Sequence, residues 1–169
     1  DSMMCNDLGD GTFAGVCLAE KAAGNDDQRL RALLKKAEFL GNRSDATAAV
    51  EAGQRGILLA NKAKRADLAA LFSLVVAGGL CELRRVDEAL RLLEPLQAWA
   101  EANLAPRARG EFCVQLGIAF DPANRLSEAL RAFEAARAIA SGEAYKDLLA
   151  TTLSNLATTT SKRGDLTRA

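Results

Sequence analysis

A chain of 169 residues that is 49% hydrophobic, with 5% aromatics and three prolines, suits one domain or one short array and is too apolar to stay disordered. Its 22 Lys and Arg balance its 22 Asp and Glu, so it lacks the basic field that announces nucleic-acid or anionic-membrane partners. It has no histidine, which removes the commonest general base and the commonest zinc ligand, and no cofactor or metal is expected.

Residues 1–11 carry two glycines and no apolar stripe. Gly15-Val16-Cys17-Leu18-Ala19-Glu20-Lys21-Ala22 then echoes Gly56-Ile57-Leu58-Leu59-Ala60-Asn61-Lys62-Ala63, as half of a repeat would, with the segment near Phe13 either an end cap or packed on a further repeat. A stronger echo runs through the rest: Ala49, Ala89, Ala129 and Ala169 recur every 40 residues, each shortly after a turn signal. Internal periods of this size indicate arrays of supersecondary units.

The spacing predicts helices over 28–40 and 45–64, 66–83 and 87–103, 106–120 and 126–141, then 143–162, with a further helix starting at Asp165. Apolar residues recur at three and four positions, as in Leu90, Leu93, Leu96 with Trp99, or Leu130, Phe133, Ala136 with Ile139. Gly41-Asn42, Arg84-Arg85, Pro122-Ala123-Asn124 and Arg163-Gly164 mark breaks, and Ser44, Asp45, Asp87, Ser127 and Asp165 are available as caps. Pro95 falls inside 87–103, where it removes an amide donor, so a kink or a break near Glu94 is expected. The longest apolar run, 68–81, is shorter than the roughly 20 residues that span a bilayer, and no membrane span is expected.

Cys5, Cys17, Cys81 and Cys113 show no close pairing and read as buried small hydrophobes or free thiols in a reducing compartment, which implies a cytoplasmic location. No Gly-rich phosphate loop, nucleophile motif or metal spacing appears, so the chain does not read as an enzyme. Arg84, Arg85, Arg107, Arg109, Arg125, Arg131 and Arg137, set among Glu88, Glu94, Glu128 and Glu134, read as a solvated face with helix-spaced ion pairs.

The 106–141 pair carries Leu116-Gly117, Phe120, Ala129, Phe133 and Ala136, and here the chain resembles the tetratricopeptide repeat: a Leu-Gly, an aromatic three residues on, and Ala-x3-Phe in the second helix. Asn155-Leu156-Ala157, Thr160 and Ala169 follow the pattern, as do Val76-Ala77, Leu80, Ala89, Leu93 and Leu96. The first unit, with Ala37, Leu40, Ala49, Gly53 and Gly56, is degenerate. The resemblance implies an all-α, right-handed superhelical array of antiparallel helix pairs, an α-solenoid. It forms a single domain over 1–169, divided into a partial repeat 1–25, repeats 26–65, 66–104 and 105–142, and a partial repeat 143–169. In it, small residues such as Ala37, Ala77, Gly117 and Ala157 let paired helices approach. Repeats this long are similar to those of bacterial signalling proteins, including sensory parts of diguanylate cyclases and large transcriptional activators.

The resemblance further implies a concave ligand surface lined by the first helices of successive pairs. The first pair would supply Arg31, Leu34, Lys35 and Glu38, and the second Leu71, Leu74, Gly78 and Glu82. The third would supply Glu111, Val114, Gln115 and Ile118, and the fourth Thr151, Ser154, Asn155, Thr158 and Lys162. Its apolar centre and polar ends suit an amphipathic helix or extended peptide; equally, Leu71, Leu74 and Ile118 could be covered by neighbouring helices, and the threonine hydroxyls could bond the preceding turn. On the first assignment, Leu74→Glu should spare folding and abolish partner binding. Lys35, Arg31, Asn155 and Lys162 lie at opposite ends, which argues against capture of a peptide's terminal carboxylate.

The expected function is a protein- or peptide-binding module with no nucleic-acid partner, the sensory or regulatory part of a signalling protein such as a diguanylate cyclase, with homodimers as that cyclase reading expects. The alternatives are the peptide-sensing domain of a transcriptional regulator and a pure assembly scaffold. Because the last helix has only begun at Ala169, the chain is expected to continue into a longer protein.

Overall fold

Asn25 and Asp45 carry side-chain oxygens that accept from the backbone N–H of Gln28 (2.9 Å) and Ala48 (3.1 Å), satisfying donors that a helix start leaves unpaired. These caps open the first two helices of the computed structural model, which describes residues 24–168. The described residues are all-α: α1 (Asp26–Asn42), α2 (Ala46–Lys62), α3 (Ala66–Glu82), α4 (Val86–Leu93), a 3-10 turn (Glu94–Leu96), α5 (Gln97–Asn103), α6 (Pro106–Phe120), α7 (Leu126–Gly142) and α8 (Lys146–Arg168). The N-terminal half-repeat, with Cys5 and Cys17, and the position of Ala169 lie outside the described residues.

Helix starts fall at Asp26, Ala46, Ala66, Val86, Pro106, Leu126 and Lys146, an interval of 20 residues, half the echo seen in the sequence. At five of these seven starts the position before the helix explains how. Asn25 and Asp45 cap directly, whereas Arg65, Arg85 and Arg125 cannot accept a bond and instead clasp a carboxylate of the first turn: Asp67, Glu88 and Glu128, each through two nitrogens at 2.5–2.9 Å. Asp87 and Ser127, expected as caps, therefore sit inside their helices.

The turns between helices share one strained geometry. Ser44, Lys64, Arg84, Asn124 and Ala144 all have φ between 56° and 61°. After four of them the next amide closes back on the helix: Asp45 to the Leu40 carbonyl, Arg65 to Ala60, Arg125 to Phe120 and Tyr145 to Ala140, at 2.8–3.1 Å. Glycine normally occupies this left-handed position, and none does here. Ala144→Gly should therefore raise stability by about 0.5 kcal/mol, the relieved backbone strain exceeding the added chain entropy; reversible urea unfolding measures it, and an unchanged or lowered midpoint contradicts it.

The chain divides into two compact units at Leu83 and Arg84. In the first, α2 packs on α1 and α3, and α3 also meets α1. Leu30, Leu33, Leu34, Ala60, Leu68 and Phe72 form its core. Glycines set the α2–α3 distance: a Cβ on Gly56 would meet the Phe72 ring, one on Gly53 would lie 2.5 Å from Val76 Cγ2, and one on Gly79 2.7 Å from Val50 Cγ2. Arg65 joins Asp27 of α1 as well as Asp67.

In the second unit α6 and α7 pack most closely, with α8 on α7 and α6, and α4 on α6. Gly117 receives the Phe133 ring as Gly56 receives Phe72, both over a separation of 16 residues. The chain breaks where Pro95 predicts: α4 ends at Leu93 and the 3-10 turn precedes α5. One expectation fails. Arg163 and Gly164 do not end a helix, because α8 continues through them and through Asp165 to Arg168; one glycine raises the cost of a helix by about 1 kcal/mol without forbidding it.

Arg107 reaches across from α6 to Asp147 of α8 (2.5 Å) while also holding Glu111 (3.0 Å), and Lys162 of α8 pairs with Asp121. The guanidinium holds the Asp147 carboxyl down to about 2, and Asp67, Glu88 and Glu128 are lowered by their arginines in the same way. A carboxylate whose folded pKa is depressed contributes stability that is present above its unfolded pKa and is lost as pH falls through the folded value. The melting temperature should therefore hold level above pH ~5 and fall between pH ~4 and ~2, by less at high salt. A melting temperature that rises on acidification would contradict these pairs.

Candidate ligand-binding clefts

The residues expected to line a concave groove are distributed as follows. On α1, Leu34 is buried in the core of the first unit, Arg31 is exposed but held by Asp27 (2.7 Å), and Lys35 and Glu38 are exposed. On α3, Leu74 is buried, Leu71 packs half-buried against the core, Gly78 is half-buried and Glu82 exposed. In the second unit Val114 is buried, Glu111, Gln115 and Ile118 are half-buried, and Glu111 is taken by Arg107. The Gln115 side-chain oxygen is buried without a hydrogen-bond partner.

On α8 the polar residues satisfy themselves. Thr151 and Thr158 donate to the carbonyls of Asp147 and Ser154, Asn155 donates to Thr151, and Lys162 is paired with Asp121. Ser154 is exposed. Three apolar anchors, Leu34, Leu74 and Val114, are thus closed to a ligand, because the stripe that faces a neighbouring helix and the stripe that faces a groove overlap on so apolar a surface. The expected outcome of Leu74→Glu changes accordingly: a carboxylate at a site 8% exposed loses hydration, and the substitution should destabilise the fold. A thermal melt decides it, and an unshifted midpoint would restore Leu74 to a free surface.

Open space lies elsewhere. In the second unit a cleft of about 650 Å³ runs between α5 and α7 over α6. Phe112, Leu116 and Phe120 form its floor with Cys113, Ala132, Ala135, Ala138 and Ile139 form the α7 wall, and Gln97 and Glu101 face them from α5. A second cleft, of about 630 Å³, belongs to the first unit, where Leu30, Leu33 and Leu59 lie between Asp26, Arg29, Arg55 and Lys62. None of the groove residues taken from the resemblance lines either cleft.

The cleft of the first unit holds Arg55 and Lys62 without an ion pair among the described residues, and the cleft of the second unit likewise combines paired and unpaired cations. Arg125 is held by Glu128 and by Glu94 (2.7 Å), whose hydrogen bonds push its pKa up, and it lies over the Phe120 ring at 4.4 Å. Arg109 and Arg131, lining the same cleft, make no ion pair among the described residues. Arg109 donates to the Glu101 carbonyl oxygen, at 3.4 Å. Sequence reasoning placed both on a solvated, paired face. Arg109 had a legible signal, since no acid stands three or four positions from it on its helix; Arg131 did not, because Glu128 and Glu134 are well spaced and turn instead to Arg125 and Arg137.

No protein-family model, curated protein or solved structure matches the chain. Its chemistry must come from its own residues. Cys81 is pushed up to about 11, chiefly by burial, and burial raises Cys113 as well, so both stay protonated thiols near neutral pH. No group of three or more metal-ligating side chains occurs among the described residues, and no described helix is long and apolar enough to cross a membrane. What the arrangement offers is a largely apolar trough with two cations that make no ion pair among the described residues.

Proposed function

We propose that this chain is a protein- or peptide-interaction module rather than an enzyme. The observation that carries the reading is the α5–α7 cleft, an open trough whose accessible lining combines Cys113, Ala132, Ala135 and Ala138 with Arg109 and Arg131, two arginines that make no ion pair among the described residues. Its volume falls within the range of ligand pockets, about 300–1,000 Å³. The proposal extends to architecture: repeated helix pairs in a right-handed, tetratricopeptide-like superhelix. The matching Gly56–Phe72 and Gly117–Phe133 sockets support it, because they show one packing device used twice. On that footing the module serves as the sensory or regulatory part of a bacterial signalling protein, with a diguanylate cyclase as the model output; this last step rests on the resemblance of the long repeats.

The test is selection of a displayed random-peptide library on the purified protein, with calorimetry on the enriched peptides. Peptides that bind the folded protein with Kd of about 100 μM or tighter and not its heat-denatured form support an interaction module. A selection that enriches nothing over the denatured control sinks it.

A further inference from the structure

We propose that the α5–α7 cleft receives an acidic amphipathic helix of a partner protein, its apolar face on Cys113 and the α7 alanines and its carboxylates on Arg109 and Arg131. The inference rests on the reading of the chain as an interaction module and adds the chemistry of the partner.

Shape favours a helix. Ala132, Ala135 and Ala138 give the α7 side of the trough a run of short side chains, so a second backbone can come close along it. Charge favours acid. Arg107 and Arg125 of this unit are held by carboxylates, whereas Arg109 and Arg131, like Arg84 and Arg91, make no ion pair among the described residues, and of these four only Arg109 and Arg131 line the cleft. The Glu128 carboxylate in the cleft is neutralised by Arg125, and Glu101 alone opposes an acidic ligand there. Because Glu101 stands by Arg109, Arg131 is the stronger clamp.

The spacing is also specified. Gly117 meets Phe133 and Gly110 meets Ile139, so α6 and α7 run antiparallel and Arg131 lies level with residues near 119 on α6. Arg109 is then some ten residues away along α6, about 15 Å at the helical rise. A helical ligand answers both clamps with acids about eleven positions apart, three turns on one face, with leucines on the same face between them.

The probe is a fluorescein-labelled synthetic helical peptide with two glutamates at that spacing and two leucines between them, compared with versions carrying lysine for glutamate or alanine for leucine. Anisotropy gives the affinity, and alkylation of Cys113, followed by mass spectrometry of its peptide, reports whether the cleft is covered. The acidic peptide should bind at least about tenfold tighter than the lysine version, weaken with salt, slow Cys113 alkylation, and lose about tenfold on Arg131→Glu. Ala135→Trp, which fills the trough from an exposed position, should block binding; circular dichroism confirms that both variants fold. Equal binding of the acidic and lysine peptides, indifference to Arg131→Glu, or unprotected Cys113 overturns the inference. Failure of the probe while a library-selected peptide still protects Cys113 overturns the acidic-helix assignment alone; failure of the library selection overturns the interaction module itself.

Discussion

Gly117→Leu should unfold the second unit or leave it destabilised by about 3 kcal/mol or more, the upper end of the cost of overpacking a core. A Cβ built on Gly117 meets three atoms of the Phe133 ring, and Phe133 is 1% exposed, so the ring has no solvent to move into. The better helix preference of leucine returns about 1 kcal/mol at most, which does not reverse the sign. The smaller Gly117→Ala isolates the contact, because it adds only the atom that collides. Combined with Phe133→Ala, the two losses should fall short of their sum by more than about 1 kcal/mol, since removing the ring removes the clash. Urea unfolding of the four-member cycle measures this coupling, and additive losses would show that Gly117 is there for some reason other than the ring.

That contact shows how far the sequence could be read. Gly117, Phe133 and their spacing stand out because one residue must be small and its counterpart large, and the helices as far as α7 were placed to within a few residues by their apolar stripes, whereas α8 runs six residues past the expected end. Pro95 was equally legible, as a missing amide that had to interrupt a helix. The 20-residue interval was hidden because different chemistry fills the equivalent position: Asn25 and Asp45 cap, while Arg65, Arg85 and Arg125 clasp a carboxylate one turn in. The cleft was hidden for another reason. It depends on which arginines win the available carboxylates, and Glu128 and Glu134, within reach of Arg131 by spacing, go to Arg125 and Arg137. Leu34, Leu74 and Val114, expected to face a ligand, are buried, because a helix packed on several neighbours has more than one apolar stripe and periodicity does not say which one stays open.

Phe72→Ala is the second large effect, and it tests whether the same device holds the first unit. Phe72 is fully buried, belongs to the cluster with Leu30, Leu33, Leu34, Ala60 and Leu68, and fills the space left by Gly56. Truncating it removes the apolar area and leaves a cavity that the helices cannot close, because α2 and α3 are already held at short range by Gly53 against Val76 and Gly79 against Val50. The loss should be about 3–5 kcal/mol, comparable to the total stability of many small domains. Phe72→Leu should cost less, and Gly56→Ala, harmful alone, should be tolerated when combined with Phe72→Ala because its methyl then enters the vacated space. If Gly56→Ala remained as harmful without the ring as with it, the socket would not be what fixes the α2–α3 distance, and the likeness between the two units would be one of sequence spacing alone.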